Sequence, residues 1–207
     1  MQMNILITAG PTREKIDPVR FISNRSSGKM GYAIAQAALD SGHEVTLISG
    51  PVNIAAPSGA NVVQVVSAAE MADAVHKFAP EADVIIMSAA VADYRPVNPF
   101  DSKMKKMPGK LTIELERTED ILASLGKKKR QGQLLIGFAA ETDDLEKNAL
   151  GKLARKNLDW IAANNVADGF GTDTNRVTLY GKNGEKITLP AGLKSAVAQN
   201  MLKEILP

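Results

Sequence analysis

A polar, glycine-bearing segment over residues 17–31, DPVRFISNRSSGKMG, carries the residues of this chain best suited to holding an anion. It joins an apolar strand to a helix, and the pattern predicts Ser26 or Ser27 as the helix cap. The unpaired amides of a first helical turn and the positive end of the helix dipole both attract negative charge. Because Gly28 permits close approach and Lys29 adds charge, the segment predicts a site for a phosphate or a carboxylate.

Two well-known phosphate motifs fail at this segment. A Walker loop would need glycine where Ser23 stands and a hydroxyl where Met30 stands. A dinucleotide-binding fingerprint would need GxGxxG directly after the first strand and an acid at the end of the second. Residues 8–12 and 47–51 supply neither. The segment is therefore no P-loop, and ordinary NAD binding is disfavoured.

Lysine and amide side chains make up most of the remaining chemistry. The chain has no cysteine, and we interpret His43 and His76 as surface residues, so hydrolysis through a serine or cysteine nucleophile is not expected. Lys152 and Lys156 are four residues apart and share one face of a predicted helix. By spacing alone, a solvated basic face explains them more simply than a phosphate site does. Asn24 is by itself a typical turn residue, although its amide could also hold a reacting carbonyl.

Alternating strands and amphipathic helices must position these side chains. The pattern predicts an α/β fold with a Rossmann-like sheet and helices on both faces. Predicted strands cover residues 3–8, 45–49, 62–66, 84–88, 111–116, 134–139 and 160–163, and predicted helix caps beyond the first helix are Ser67, with Glu70 in a capping box, Asp120, and Thr142 or Asp143. A lysine-rich and proline-rich stretch over about 95–110 is a candidate mobile flap. Residues 177–189 are predicted to form a C-terminal β-hairpin around Asn183-Gly184.

Length and composition indicate one enzyme-sized domain. The chain has 207 residues, 44% of them hydrophobic, which suffices for one core over residues 1–207. The lack of cysteine excludes disulfides and cysteine-bound metal centres. A net charge of +2, with positive charge only locally concentrated, gives no reason to expect nucleic-acid binding. With no apolar run of 18 residues and no signal segment, we expect no membrane insertion and a cytoplasmic location.

Several sequence blocks resemble the phosphopantothenoylcysteine synthetase family of coenzyme A biosynthesis in order and in spacing. They are ITAGPTRE at 7–14, DPVRFISNRSSGKMG at 17–31, AAVADY at 89–94, KMKK at 103–106, GFAAET at 137–142 and KLARKNLD at 152–159. Each block alone is weakly specific, but together they cover nearly the whole chain. The bacterial form of the family, which uses CTP, is the nearer match.

The resemblance implies a ligase that joins 4′-phosphopantothenate to cysteine. The substrate carboxylate would attack the α-phosphorus of CTP with Mg²⁺ present, pyrophosphate would leave, and the cysteine amine would displace CMP from the acyl-cytidylate. Asn24 and the flap residue Lys103 are implied as catalytic, and Ser27, Gly28 and Lys29 are candidates for the substrate's phosphate. The implied nucleotide-binding positions are Ala89, Ala90, Asp93, Lys103, Glu119, Asp120, Ile121, Leu122, Phe138, Lys152 and Lys156.

One position departs from the family pattern, and two other functions stay open. Glu119 replaces a proline, and its negative charge is unfavourable near a triphosphate unless it points away or toward Mg²⁺.

The resemblance implies a homodimer, which we expect to bury the apolar face of the 177–189 hairpin. It also implies fusion to or association with a flavin-dependent decarboxylase. The alternatives are an NAD(P)-dependent reductase of Rossmann type and a non-catalytic dimerising module of a larger coenzyme A enzyme.

Overall fold

The computed structural model of the protein describes residues 1–106, 108–166 and 171–207. Its strands are β1 (Asn4–Ala9), β2 (Arg13–Lys15), β3 (Phe21–Ser23), β4 (Glu44–Ser49), β5 (Asn61–Gln64), β6 (Val84–Met87), β7 (Tyr94–Pro96), β8 (Leu115–Arg117), β9 (Leu134–Glu141), β10 (Trp160–Asn165), β11 (Thr174–Asn175), β12 (Thr178–Gly181), β13 (Lys186–Thr188) and β14 (Gly192–Leu193). Its α-helices are α1 (Lys29–Asp40), α2 (Ala68–Phe78), α3 (Ile121–Lys128), α4 (Leu145–Arg155) and α5 (Lys194–Ile205).

Eight strands form one central sheet in the order β13-β12-β10-β9-β6-β1-β4-β5. Six neighbouring strands of this sheet are parallel, namely β10, β9, β6, β1, β4 and β5. Strands β12 and β13 extend this sheet as an antiparallel hairpin. The parallel part has the strand order of a doubly wound sheet, with its reversal between β1 and β6. The prediction of a Rossmann-like α/β sheet is confirmed.

Side chains that alternate along the central strands supply two apolar layers. In β1, Ile5 and Ile7 belong to the layer that contains α1 and α5, whereas Leu6 belongs to the layer that contains α2, α3 and α4. All three are at most 1% exposed. A sheet buried on both faces must be covered by helices on both faces. The predicted helices on both faces are therefore present.

The predicted caps of α2 and α4 have different outcomes, because a side chain caps only α2. The Ser67 hydroxyl accepts the amide of Glu70 at 3.2 Å, which confirms the predicted start of α2. The prediction for α4 is wrong, since the helix follows Asp144, which has a left-handed φ of 48° and no capping hydrogen bond, and not Thr142 or Asp143. A left-handed residue of this kind leaves no clear sequence signal unless it is glycine.

The predicted strand over residues 111–116 is shorter and later than expected. The observed strand β8 pairs antiparallel with β7, and an ion pair of 2.8 Å joins Arg95 to Glu116 across them. Leu111, which should have begun the strand, is 64% exposed. With no apolar surface to bury there, nothing favours an extended ladder before Leu115.

The C-terminal hairpin forms around Asn183-Gly184 as predicted, but its apolar face is used differently. Gly184 has a φ of +93°, as the turn requires. Val177 and Leu179 are fully buried in the layer that contains α5, and Leu189 is 3% exposed. The expectation that this face is buried against another subunit is wrong, because β12 joins β10 and the face packs within the chain.

A buried carboxylate ties the hairpin to the middle of the sheet. Asp159, whose side chain is 4% exposed, accepts the Leu135 amide at 2.8 Å and pairs with Lys129 at 2.9 Å and Lys182 at 2.6 Å. Burial alone would raise the pKa of Asp159, but the hydrogen bonds from Lys182, Leu135 and Lys129 hold it below its usual value. This carboxylate therefore favours the folded state only while it is ionised.

We expect Asp159→Asn to lower the free energy of unfolding at pH 7 by about 3 kcal/mol, because it breaks a buried ion pair from one side. The stabilisation is complete above the unfolded-state pKa of about 3.9 and is lost as pH falls through the lower folded-state pKa. Urea unfolding at several pH values measures both effects. The exposed Asp73→Asn on α2 is the control. A difference between Asp159→Asn and wild type that is small at pH 7, or that grows in acid, would contradict this account.

Candidate active site

A pocket of about 370 Å³ opens at the carboxyl edge of the sheet, where β6, β9 and β10 end. Its floor includes Ala89 and Ala90, which follow β6, and Phe138 and Ala140 in the last part of β9. Doubly wound sheets bind ligands at this edge, near the reversal of strand order. The predicted binding residues that line this pocket are Ser27, Gly28, Lys29, Ala89, Ala90, Asp93, Glu119, Asp120, Ile121, Leu122, Phe138, Lys152 and Lys156.

The start of α1 forms one wall of the pocket, and two glycines allow it to approach the sheet. Gly28 has a φ of +78°, and a Cβ there would lie 2.7 Å from Cγ1 of Val52. A Cβ on Gly31 would lie 2.6 Å from the Cβ of Ala9 on β1. A side chain on Gly31 would push the helix away from β1, and one on Gly28 would collide with Val52, which follows β4. The two glycines therefore hold the helix N-terminus at the edge of the pocket.

The predicted serine cap of α1 is wrong. The residue that precedes the helix is Gly28, and no side chain caps the first turn. The Ser26 hydroxyl instead accepts the amide of Gly28 itself at 3.3 Å, and Ser27 lines the pocket without capping the helix. A first turn without a side-chain cap suits an anion site, because a bound anion can take the place of the cap.

The opposite wall carries two lysines, each in an ion pair. Lys152 on α4 lies 2.6 Å from Glu141, and Lys156, the residue that follows α4, lies 2.9 Å from Asp120. Burial alone would raise the pKa of Asp120, but the hydrogen bonds from Lys156 and from the Ala123 amide hold it below its usual value. Both lysines line the pocket, and their side chains are only 34% and 21% exposed, so the solvated basic face that spacing alone favours is not what forms.

The backbone of Lys156 is set by a close contact with α3. A Cβ on Gly126 would lie 1.9 Å from the carbonyl oxygen of Lys156. The next residue, Asn157, donates its side-chain amide to the Gly126 carbonyl at 2.9 Å and has a left-handed φ of 51°. This contact therefore fixes where the Lys156 side chain enters the pocket.

We expect Gly126→Ala to lower the free energy of unfolding by about 1–3 kcal/mol, since the methyl group has no room unless α3 or the Lys156 backbone moves. Any anion that Lys156 binds should then bind more weakly. The matched control is Gly151→Ala inside α4, where a Cβ meets only the flexible end of Arg155 at 3.0 Å and helix propensity favours alanine. Thermal unfolding and nucleotide titration of both variants measure this, and an equal response of the two would refute the packing argument.

Glu119 lines the pocket, but its carboxylate is paired with a residue of α2. Its Oε1 atom lies 2.7 Å from Nε2 of His76. This hydrogen bond lowers the pKa of Glu119. The interpretation of His76 as a solvated surface residue is therefore incomplete. The negative charge that replaces the family's proline is held by an imidazole on a neighbouring helix.

Asn24 is not among the residues that line the pocket. Its side-chain amide donates to the carbonyl oxygen of Ala90 at 3.0 Å and to that of Val91 at 3.3 Å. Ala90 and Val91 both line the pocket. The amide thus connects the segment before α1 to the segment after β6. It is a neighbour of the site and not one of its walls.

Lys103, the second residue expected to be catalytic, is exposed in the flap and also does not line the pocket. The flap contacts the turn between β2 and β3 next to this lysine. The amide of Met104 donates to the fully buried carboxylate of Asp17 at 3.2 Å, and the guanidinium of Arg20 donates to the Met104 carbonyl at 3.4 Å. The flap therefore has a defined attachment one residue from Lys103.

Sequence reasoning missed part of the pocket. Asn164 on β10, Asn175 on β11 and Lys194 on α5 line it, each at most 7% exposed. Asn164 follows four apolar residues of its strand, so a polar residue at the carboxyl end of a buried strand was a usable signal. Nothing in the local sequence around Lys194 marks it as part of a site.

The sheet of this chain is open and doubly wound, and its lysine-lined pocket lies at the reversal of strand order. These features place the chain in the Rossmann-like α/β class of ligand-binding proteins. The family model described as the DNA/pantothenate metabolism flavoprotein C-terminal domain matches residues 1–207, and the chain belongs to that family. The family resemblance that the sequence blocks predicted is confirmed.

Several known proteins similar to this chain are named for coenzyme A biosynthesis. The chain is 53% identical over 206 residues to the coenzyme A biosynthesis bifunctional protein CoaBC of Bacillus subtilis (strain 168), a match that covers 98% of this chain and 50% of that protein. A crystal structure of the C-terminal domain of such a protein is 50% identical, with a TM-score of 0.85, and the match covers 99% of this chain and 95% of that one. The chain spans about half the length of the curated relatives it matches.

A more distant solved structure shares the fold. It is a Cab2 mutant in complex with phosphopantothenate-cysteine, with a TM-score of 0.76 and 17% identity, and the match covers 99% of this chain and 85% of that one. At that identity the likeness shows the fold alone. In the described part of this chain, no helix has the length and apolar character needed to span a bilayer.

Proposed function

We propose that this chain is a ligase of coenzyme A biosynthesis that joins 4′-phosphopantothenate to cysteine and uses CTP to activate the carboxylate. The observation that carries the proposal is one pocket lined by a helix N-terminus, small residues at a strand end and two paired lysines. The relatives named for coenzyme A biosynthesis support the same reaction. The ligand of the Cab2 neighbour, phosphopantothenate-cysteine, is the product that this reaction would form.

The proposed reaction has two steps. A carboxylate oxygen of 4′-phosphopantothenate attacks the α-phosphorus of CTP, and pyrophosphate leaves with the electrons of the broken P–O bond. The cysteine amine then attacks the acyl carbon of the acyl-cytidylate, CMP leaves with the former carboxylate oxygen, and the amine loses a proton. Positioning and charge neutralisation account for most of the catalysis in such transfers.

Lys152 and Lys156 would neutralise the nucleotide phosphates. Each ammonium group pairs with a carboxylate, Glu141 or Asp120. A phosphate oxygen would compete with these carboxylates or share the ammonium donors with them. The pairs therefore keep the lysine side chains directed into the site before the nucleotide arrives.

Small residues at the strand end would accept the cytidine. Ala89 and Ala90 have no side chain beyond Cβ, so a base or a ribose can approach their backbone. Phe138 would form a wall against the base, and Asp93 would contact the ribose or the base. The residues from Glu119 to Leu122 would close the pocket beside the nucleotide, with the Glu119 charge turned toward His76.

Mg²⁺ would be held by few protein ligands. This ion commonly binds through one or two carboxylates together with substrate phosphates. The described residues contain no group of three or more metal-ligating side chains, which fits an ion held mainly by the nucleotide. The bound ion would neutralise charge on the triphosphate.

Asn24 and Lys103 would act on the acyl-cytidylate. The Asn24 amide lies at the carbonyls of Ala90 and Val91, so a short movement of that side chain would bring a donor to a ligand on the pocket floor. Lys103 would reach the intermediate through movement of the flap.

We also propose that the chain works with a flavin-dependent decarboxylase, because the relatives of twice its length are named bifunctional. Assembly as a homodimer stays a prediction.

A nucleotide panel tests the proposed function. The protein is incubated with 4′-phosphopantothenate, cysteine, Mg²⁺ and each nucleotide in turn, and released pyrophosphate is measured. We expect release to be fastest with CTP and to depend on 4′-phosphopantothenate. Equal release with ATP would remove the CTP preference, and no release with any nucleotide would overturn the ligase.

A further inference from the structure

A hydrogen-bonded pair connects the pocket wall to a side chain outside it. Glu119 lines the pocket just before α3, and its Oε1 atom lies 2.7 Å from Nε2 of His76 in the last turn of α2. The two residues are 43 positions apart in the chain. His76 itself is not among the residues that line the pocket. Any influence of His76 on a ligand must therefore pass through Glu119.

The hydrogen bond has a defined direction. An ionised carboxylate can only accept hydrogen bonds, so Nε2 of His76 must carry the hydrogen and donate it. The His76 hydrogen bond lowers the pKa of Glu119 most, the side chain of Ser124 and the charge of Lys128 lower it further, and partial burial opposes them. Ser124 and Lys128 belong to α3, the helix that Glu119 precedes, whereas His76 reaches the carboxylate from α2. Glu119 therefore carries a negative charge that a separate helix restrains.

The residues on either side of Glu119 are fixed by other segments. The amide of Thr118 donates to the carbonyl oxygen of Asp93 at 3.0 Å. On the other side, Asp120 pairs with Lys156 at 2.9 Å. The backbone around Glu119 is thus held from both sides, and the part whose direction depends on α2 is the Glu119 side chain.

The charge of Glu119 lies beside the lysines of the α4 side. Lys156 already pairs with Asp120, and Lys152 already pairs with Glu141. A further carboxylate turned into the pocket would therefore repel a ligand that carries several negative charges. The Glu119 side chain is 47% exposed, so it has room to turn when its partner is removed.

We propose that His76 is a positioning residue for the nucleotide: its hydrogen bond turns the Glu119 carboxylate away from the triphosphate and so preserves the affinity of the two lysines for it. The inference rests on the proposed function, because it takes the triphosphate of CTP as the ligand. His76 acts through Glu119 and contacts neither substrate. The pair allows an acidic residue to stand in the wall of an anion-binding pocket.

The test is a double-mutant cycle of His76→Ala and Glu119→Gln, in which calorimetric titration measures the binding of CTP and of cytidine. His76→Ala should weaken CTP binding about 3- to 10-fold, because it frees the Glu119 charge, and should change cytidine binding less than about twofold. In the Glu119→Gln background there is no charge to restrain, so His76→Ala should change CTP affinity less than about twofold. Salt at about 0.5 M should reduce the effect of His76→Ala, because salt screens exposed charges.

His43→Ala is the matched control. His43 is also partly exposed and lies before β4, at the opposite edge of the sheet, where it accepts the Met3 amide at 3.3 Å. This variant should leave CTP affinity unchanged. His76→Ala should fold, because His76 is partly exposed and alanine favours a helix, and the melting temperature verifies this.

Three results would overturn the inference. The first is unchanged CTP affinity in His76→Ala. The second is a loss that is equal in both Glu119 backgrounds or equal for cytidine, because either would show that His76 only supports the fold. The third is a loss of CTP affinity in Glu119→Gln itself when Mg²⁺ is present, because Glu119 would then be a group that the nucleotide complex needs.

Inorganic triphosphate serves as a probe that does not depend on the proposed function. Wild-type protein that binds triphosphate but not CTP would overturn the proposed function and leave the inference standing, provided that His76→Ala weakens that binding only when Glu119 is present. Wild-type protein that binds CTP with an affinity equal to that of His76→Ala would overturn the inference alone. Wild-type protein that binds neither ligand would overturn both.

Discussion

Replacing Asn24 with aspartate should lower cysteine-dependent turnover by at least about 100-fold, the usual effect of losing one donor that stabilises a developing oxyanion. The substitution keeps the shape of the side chain but replaces its NH₂ group with a negatively charged oxygen. That oxygen would face the carbonyls of Ala90 and Val91, which now accept the Asn24 amide. It would also repel an acyl-cytidylate on the pocket floor.

Two measurements separate this role from damage to the fold. The melting temperature should fall by only a few degrees, because Asn24 is exposed and lies outside both apolar layers, so the two lost hydrogen bonds cost about 1 kcal/mol. Activation by CTP should survive in part, so labelled acyl-cytidylate should accumulate in Asn24→Asp. Asn61→Asp, at an exposed edge strand far from the pocket, is the matched control. Full activity of Asn24→Asp, or an activity loss explained by unfolding, would return Asn24 to the status of a turn residue.

The second large effect concerns the nucleotide lysines. Lys152→Met and Lys156→Met should each weaken CTP binding about 10- to 100-fold, the value of a charge-assisted phosphate contact of about 1.5–3 kcal/mol. Each change also leaves a carboxylate, Glu141 or Asp120, without its ammonium partner and facing the triphosphate. Repulsion by that carboxylate adds to the loss.

A variant on the same helix provides the control for this prediction. Lys147 is exposed on α4 and does not line the pocket, so Lys147→Met should leave CTP affinity unchanged. Fluorescence or calorimetric titration with CTP measures all three variants. Unchanged affinity in both Lys152→Met and Lys156→Met would show that these lysines only solvate the helix and hold their carboxylates.

Most of the fold could be predicted from the sequence because the signals are local and periodic. The apolar runs over residues 5–7 and 84–87 are continuous, as those of buried parallel strands are, and Asn183-Gly184 specifies its hairpin turn. The start of α4 could not be found in this way, since Asp144 takes a left-handed conformation that only its tertiary surroundings select. The apolar face of the hairpin packs against α5, which follows it in the chain. The hairpin sequence shows that this face is apolar but does not show which element covers it.

The candidate site was predictable only where residues form contiguous motifs. The blocks around Gly28, Ala89 and Lys152 are each recognisable, and they lie together at one edge of the sheet. Asn175 and Lys194 belong to elements near the end of the chain, so only the tertiary fold brings them to α1. Sequence likewise could not show that the Asn24 amide is engaged by the backbone of the pocket floor.

The central claim is that the carboxylate of 4′-phosphopantothenate is activated as an acyl-cytidylate. The most direct measurement starts from 4′-phosphopantothenate labelled with ¹⁸O in its carboxylate, together with cysteine, CTP and Mg²⁺, and follows the products by mass spectrometry. Attack on the α-phosphorus predicts phosphopantothenoylcysteine together with CMP that carries one ¹⁸O atom, while pyrophosphate stays unlabelled. Label in pyrophosphate or inorganic phosphate, with unlabelled CMP or CDP, would contradict the account.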